Sequence, residues 1–226
     1  MKKLFVAAVC AVFALTASAQ RASSTSSSFF STEKADEGVR FGVRAGLNFA
    51  NLSGDHLDLD SRTSFHVGVI ADIPLMQSLY IQTGLYFQSK GAKNEYDVEY
   101  NGYDVKLEET YSPMYLSIPV LASYRYNFSD ALQLQVNFGP YFAYGIAGKY
   151  KVEASVAGES ADEDYKLFDS DEGDWNAFDC GLQVGAGLTF AKHYYLGFTY
   201  DFGLTEVAED SDVTNSNWMI SLGYNF

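Results

Sequence analysis

The sequence predicts an all-β fold, an eight-stranded antiparallel up-and-down transmembrane β-barrel spanning residues 39–226. Three observations lead there. From Val39 onward, large apolar residues alternate with small or polar ones. The alternating segments are joined by short turns and long loops, one after the other. Most of the acidic charge lies in the long loops.

The chain opens with an export signal. Lys2 and Lys3 precede an apolar run from Leu4 to Leu15, and Ala17-Ser18-Ala19 gives the small-x-small pattern that signal peptidase accepts. About 12 apolar residues cannot cross a hydrocarbon core that needs roughly 20 in a helix, so residues 1–19 are expected to be removed, leaving Gln20 first. Cys10 sits inside that run behind Val9, too bulky for a lipidation site. Cys180 then remains alone, and an intramolecular disulfide is unavailable to an exported chain. Residues 20–38, rich in serine and without a period of 2 or 3.6, read as a flexible periplasmic tail.

The strands follow from period 2, because successive side chains of a strand point to opposite faces. At the end of the chain Trp218, Ile220, Leu222, Tyr224 and Phe226 form one face, and Met219, Ser221, Gly223 and Asn225 the other. Tyr194 to Leu204 repeats the pattern. The same test gives apolar faces at Val39 to Phe49, Phe65 to Ile73, Leu79 to Phe87, Met114 to Phe128, Leu132 to Tyr144 and Phe178 to Phe190. An even number of antiparallel strands fits a closed barrel. The mean hydropathy of −0.10 agrees, since only alternate residues of such strands meet lipid.

Short turns fall at Pro74 to Ser78, Ser129 to Ala131 and Ala191 to His193. Long loops fall at Asn51 to Thr63, Ala92 to Thr110, Ile146 to Ala177 and Thr205 to Ser216, and these carry 22 of the 29 acidic residues. Turns in the periplasm and loops outside is the outer-membrane arrangement, which puts both chain ends in the periplasm. The apolar faces hold no charge. Tyr126, Phe128, Phe190, Tyr194, Tyr224 and Phe226 gather at the turn ends, and Phe49, Phe65, Phe87, Phe142, Phe178, Phe202 and Trp218 toward the loop ends, as two interfacial girdles. Pro113, Pro119 and Pro140 fall inside strands of a barrel that has no free edge. Bulges or bends are expected at each, and a bulge would shift the face assignment beside it, on the strand from Met114 to Phe128 above all.

FGVRAGLNFANLSGD at 41–55, YIQTGLYFQSKG at 80–91, YLSIPVLASYRY at 115–126, GPYFAY at 139–144, VGAGLTF at 184–190 and the terminal LGYNF together resemble the porin-family, PorT-type outer-membrane β-barrel proteins of the Bacteroidetes. The resemblance covers nearly all of residues 39–226. It implies an outer-membrane barrel and makes Pro119 a family feature. It carries no single activity, because sites are grafted onto folds.

An eight-stranded barrel is just wide enough for side chains to fill. The inward set, Arg40, Arg44, His66, Asp72, Gln82, Tyr86, Arg125, Gln133, Gln135, Gln183 and Asp201, is bulky and polar. Within it Arg40, Arg44, Asp72, Arg125 and Asp201 are expected to form an interior polar network, because an unpartnered buried charge is costly. A proton or ion path is the functional alternative to a structural network. Trp218, Ile220, Leu222, Tyr224 and Phe226 look like the terminal signal read by the outer-membrane insertion machinery.

A net charge of −14 and a pI near 4.4 argue against nucleic acid. The three histidines, His56, His66 and His193, show no zinc spacing and no accompanying nucleophile motif, so no catalytic, metal or cofactor site is expected. A triad could still assemble from separate strands, and a lipid-facing Ser-His pair with an acidic neighbour would signal a membrane-embedded hydrolase. Asp162 to Asp174 does not fit an EF-hand: counted from Asp169, glycine comes one place early and Cys180 stands where the bidentate glutamate belongs. The expected role is a non-enzymatic outer-membrane barrel with a filled interior, whose acidic loops contact a protein partner, lipopolysaccharide or a surface ligand. A soluble lipocalin-like carrier and a secretion-associated barrel are the alternatives. The first would have to turn its apolar faces inward.

Overall fold

The computed structural model describes residues 38–54, 60–100, 103–156, 159–168, 175–208 and 211–226. Residues 1–37, where the export signal and nearly all of the tail are expected, lie outside the described residues.

Ten antiparallel strands form one sheet. They are β1 (Arg40–Ser53), β2 (Asp60–Met76), β3 (Leu79–Ser89), β4 (Ala92–Tyr100), β5 (Tyr103–Ser129), β6 (Leu132–Val156), β7 (Glu159–Lys166), β8 (Phe178–Phe190), β9 (Tyr194–Glu206) and β10 (Thr214–Asn225). Eight of them hydrogen-bond in a closed cycle, β1-β2-β3-β5-β6-β8-β9-β10, with β10 returning to β1 from Gly42 opposite Asn225 to Ser53 opposite Thr214. These eight are the eight that period 2 picked out.

The other two strands correct the expectation of irregular loops. Strand β4 pairs with the first part of β5, from Tyr103 to Thr110, and β7 with the last part of β6. With 27 residues in β5 and 25 in β6, these strands run far past their neighbours and form a four-stranded extension, β4-β5-β6-β7, from segments expected to be loops. The cause is cross-strand pairing: polar side chains hold a sheet as well as apolar ones when each faces a partner.

The prolines behave unequally. The register between β5 and β6 shifts beside Pro113, where Met114 faces Ala147 and Tyr115 faces Gly145, leaving Ile146 as the extra residue. At Pro119 and Pro140 the register is unshifted, so of the bulges or bends expected at the three prolines only Pro113 stands beside a bulge. The face flip therefore occurs on β6 above Ile146, while β5 keeps its alternation from Pro113 through Arg125.

The polarity of the ring is inverted relative to a soluble protein. Arg44, Asn48, His66, Asp72, Gln82, Arg125, Gln135, Asp179, Gln183 and Asp201 are buried. Phe41, Leu47, Phe65, Val69, Phe138, Leu196, Phe198, Trp218 and Leu222 are exposed on the outside. Burying polar groups while exposing large apolar ones is unfavourable in water, so the outer surface is built for a non-aqueous surrounding. A lipocalin-like carrier would have the opposite arrangement.

Candidate functional site

The interior is stacked in three layers. Nearest the short hairpin turns, Arg125 Nη2 stands 2.6 Å from Asp72 Oδ2, an ion pair without the alignment of a hydrogen bond. Gln82 donates to the other Asp72 oxygen at 2.8 Å, and Asn137 donates to Gln82 at 3.3 Å. The Arg125 guanidinium lies 4.2 Å over the Tyr80 ring, and that of Arg44 lies 3.9 Å over Tyr195. Arg44 also donates to Asn225 Oδ1 at 2.8 Å. Gly187 and Gly197 face each other across β8 and β9, and the Tyr195 ring occupies the space a Cβ would take at either.

In the middle layer, Asn48 Nδ2 donates to the carbonyls of Phe65 and Ser89, which leaves its Oδ1 to accept from His66 Nδ1 at 2.6 Å. His66 Nε2 then accepts from Ser221 Oγ at 2.9 Å. Beside this layer is a cavity of about 30 Å³, lined by Arg44, His66, Tyr86, Tyr195 and Ser221 among others. A space of that size takes one water.

In the layer nearest the extension, Lys90 is fully buried between two carboxylates, 3.0 Å from Asp179 and 3.7 Å from Asp201, with its ammonium 4.3 Å over the Tyr141 ring. Thr205 Oγ1 donates to Asp179 at 3.1 Å, and Gln183 Nε2 donates to Asp201 at 2.7 Å. Above this, Trp175 Nε1 donates to Tyr115 Oη at 3.0 Å, Phe168 meets Tyr115 edge-on, and Tyr111 stacks on Trp175. Aromatic rings thus close this end. The hairpin end is open, as a basin of about 220 Å³.

The extension has two unlike faces, because directly paired residues of antiparallel strands share a face. One continues the inward side of the ring and carries the ladder Tyr111, Tyr150 and Tyr165 across β5, β6 and β7. Tyr96 and Tyr150 both donate to Glu109 Oε1, at 3.1 and 3.0 Å. The other face continues the exposed apolar side in three rows. Lys149 and Lys166 pair first; Lys93, Thr110, Lys151 and Asp164 come next; then Glu95, Glu108, Glu153 and Asp162 stand in register across all four strands. Four like charges abreast are unfavourable. Lys93 offsets this at 2.6 Å from Glu108, and Lys151 at 3.1 Å from Glu153 and 3.5 Å from Asp162. The hydrogen bond from Lys93 holds the Glu108 carboxyl below the usual carboxylate range.

A family model for the outer membrane protein beta-barrel domain matches residues 19–209. The chain belongs to that family. The barrel is therefore an outer-membrane protein, and its exposed apolar face meets lipid. The chain is also similar to three solved structures: Ail, the attachment invasion locus protein of Yersinia pestis (16% identity, 84% of this chain and 100% of that one, TM-score 0.40); Neisserial surface protein A (16%, 84% and 100%, 0.42); and OprG from Pseudomonas aeruginosa (13%, 86% and 97%, 0.39). No curated protein matches it.

The structure brings together only part of the expected network. Asp72 pairs with Arg125. Arg44 is held by an amide and an aromatic face instead of a carboxylate. Arg40 lines the basin at the hairpin end, a layer below. Asp201 takes Lys90 as its cation, and neither Lys90 nor Asp179 was singled out from the sequence. Both were within reach of the alternation. Extending the even, inward positions of β3 from Gln88 by one step reaches Lys90, and Asp179 lies between the outward Phe178 and Cys180. Trp218, Ile220, Leu222, Tyr224 and Phe226 all lie exposed along one face of β10 and the chain end, and the Phe226 amide donates to the Phe41 carbonyl at 2.9 Å.

The hydrolase test gives a Ser-His pair with a different setting. Ser221, His66 and Asn48 have the hydrogen bonds of a nucleophile, base and orienting amide. They face the barrel interior instead of lipid, and the adjoining cavity takes one water and no acyl chain. Their arrangement satisfies three buried polar groups with one another. Among the described residues there is no cluster of metal ligands. Asp169 to Asp174 lies outside the described residues, and Asp162 to Lys166 belongs to β7.

Proposed function

We propose that the chain is a non-enzymatic barrel of the porin-family, PorT-type kind, without a cofactor, that presents the β4–β7 extension outside the cell for contact with lipopolysaccharide. In this reading the signal is cleaved after Ala19, the insertion machinery receives β10, and the hairpin turns and both termini stand in the periplasm. The carrying observation is the order of rows on the outward face of the extension. Apolar residues end at Tyr144 and Ile146 on β6, then come Lys149 and Lys151, with Asp164 2.7 Å from Lys149, and beyond them the row of four carboxylates.

Height makes the order meaningful. With strands tilted about 40°, Lys149 stands about 8 Å and Lys151 about 13 Å beyond Ile146 along the membrane normal. That is the depth of the headgroup zone, about 5–8 Å thick on each side, and of the sugars and phosphates just above it. Lysines there meet phosphates, and carboxylates farther out meet the divalent cations that bridge them.

The test compares the unfolding temperature of the refolded protein in vesicles containing purified lipopolysaccharide with that in phosphatidylethanolamine vesicles. Lipopolysaccharide should raise it for the parent and do so much less for the triple variant Lys149→Gln, Lys151→Gln, Lys166→Gln. Equal gains for parent and variant would reject the contact.

A further inference from the structure

The basin at the hairpin end is built from the last inward residues of five elements. Arg40 comes from the start of β1, Asn127 from the end of β5, Gln133 from the start of β6, Thr189 from the end of β8 and Asn225 from the end of β10. Lys192 comes from the turn between β8 and β9. Its volume of about 220 Å³ is seven times that of the interior cavity above it, enough for a small solute and more than a few waters.

Three independent features suit it to an anion. The Thr189 hydroxyl is buried, with the residue 4% exposed, and it has no hydrogen-bond partner among the described residues. Such a group is costly unless something else engages it. Ala191 and Lys192, the central residues of the turn closed by the His193 amide on the Phe190 carbonyl, adopt φ of 48° and 69°, the left-handed region that glycine or asparagine fills with least strain. A β8–β9 turn built from Ala-Lys accepts that strain and places an ammonium on the basin wall. One layer above, the buried Arg44 guanidinium donates to the Val43 carbonyl and the Asn225 amide and lies over the Tyr195 ring, with no carboxylate at ion-pair distance among the described residues. Asn225 belongs to both layers, accepting from Arg44 and lining the basin. The field in the basin is thus positive from its floor as well as from its walls.

The remaining lining groups narrow the ligand. Asn127 and Gln133, joined by a 2.7 Å hydrogen bond, and Asn225 offer side-chain amides that pair with peptide groups. Asp130, in the exposed turn between β5 and β6, is the one carboxylate among the lining residues. We propose that the basin binds the free carboxyl end of a short peptide, with Lys192 and Arg40 on the carboxylate, Thr189 donating to it and the three amides along the chain. The site's chemistry does not depend on which side of the membrane it faces; the proposed orientation would put it in the periplasm.

The experiment uses the refolded full barrel in detergent micelles, so its outcome is independent of the lipopolysaccharide reading. Acetyl-alanyl-alanine, its C-terminal amide and inorganic phosphate are titrated separately while the backbone amide resonances of Thr189, Lys192 and Asn225 are followed by NMR. The free acid should give saturable shifts at these three residues, and its C-terminal amide should bind about tenfold or more weakly, the loss of one charge-assisted hydrogen bond. Lys192→Gln should weaken the acid by a similar factor. Thr189→Val, the same shape without the hydroxyl, should weaken it too while leaving the unliganded spectrum near that of the parent. Equal binding of acid and amide, an unchanged affinity in Lys192→Gln, or no shifts up to millimolar peptide would overturn the proposal. Phosphate binding more tightly than the peptide would overturn its assignment to a peptide carboxylate.

Discussion

Replacing Asp72 by Asn should destabilise the barrel by about 3–5 kcal/mol, because it removes the counter-charge of a guanidinium that stays buried. The side chains of Arg125 and Asp72 are 3% and 2% exposed, so neither can turn to water when the other is changed. Asparagine keeps the volume and can still accept from Gln82, which now donates to Asp72 at 2.8 Å, so the change isolates charge from packing. Arg44 adds to the penalty, since Asp72 is the carboxylate of this layer and two guanidiniums would then share it with none. The double variant Asp72→Asn, Arg125→Met is the control. Methionine fills the space beside the Tyr80 ring without a charge, and exchanging a buried pair for neutral groups is close to neutral, so it should recover all but about 1 kcal/mol. Urea unfolding in lipid vesicles, followed by the fluorescence of Trp218 on the lipid face, gives both differences. A single variant within about 1 kcal/mol of the parent, or a double variant as unstable as the single, would show that the ion pair does not hold this layer.

Other outcomes follow from the same geometry. Gly197→Leu should block folding or cost several kcal/mol, about the size of an overpacked core or more, because the Tyr195 ring fills the space above Gly187 and Gly197; Tyr195→Ala in the same chain should restore folding, read by the mobility of unboiled samples on gels. In planar bilayers the protein should give no stable conductance, since the interior cavity takes one water and aromatic rings close one end; reproducible large channels from a monomer would contradict the layer structure. In the extension, the Glu108 carboxyl is held low by Lys93, so its contribution is present above the unfolded value and disappears as pH falls through the lower folded one; proteolysis of β4 and β5 should accelerate as pH falls below the ordinary glutamate range, and Lys93→Gln should remove that step. Deleting Phe226 should reduce the amount inserted in cells while leaving refolding into detergent nearly intact; equal loss in both would mean that this exposed ring contributes only burial in lipid.

The eight ring strands were legible because water and lipid demand opposite things of alternate residues, and Trp218 to Phe226 shows that demand without interruption. The extension was obscured by two effects. Its acidic residues drew attention as loop composition, although Val105, Leu107 and Tyr111 alternate on β5, as do Tyr150, Val152 and Ala154 on β6. The single extra residue Ile146 then broke the period on β6 where the extension begins, so the alternation above it is out of phase with that below. The pairing of charges was less legible than their direction. Period 2 aims Arg44, Arg125, Asp72 and Asp201 inward, but which meet depends on the stagger of strands around the ring. That stagger gave Asp201 to Lys90, just past the end of β3, and left Arg44 with neutral partners.

The interior contacts join residues far apart in the chain: Arg44 to Asn225 across 181 positions, His66 to Ser221 across 155 and Lys90 to Asp179 across 89. Such contacts cannot form strand by strand, because each requires the loop between its partners to close first. Two of the three run to β10 from β1 or β2, so the layers are completed only when β1 and β10 pair. Before that moment the polar inward faces have neither water nor one another in the membrane, a costly condition for Arg44 and His66. Closure and burial of the polar layers must therefore be nearly one event, with the last strand free until it happens. A free β10 presents its whole outer row from Trp218 to Phe226 together with an unpaired backbone edge, the form in which an insertion machine could hold it by strand addition. The residues that seal the barrel from inside, Ser221 and Asn225, alternate with the residues that face outward on the same strand, so one segment carries both the closing contacts and the surface that would be read before closing.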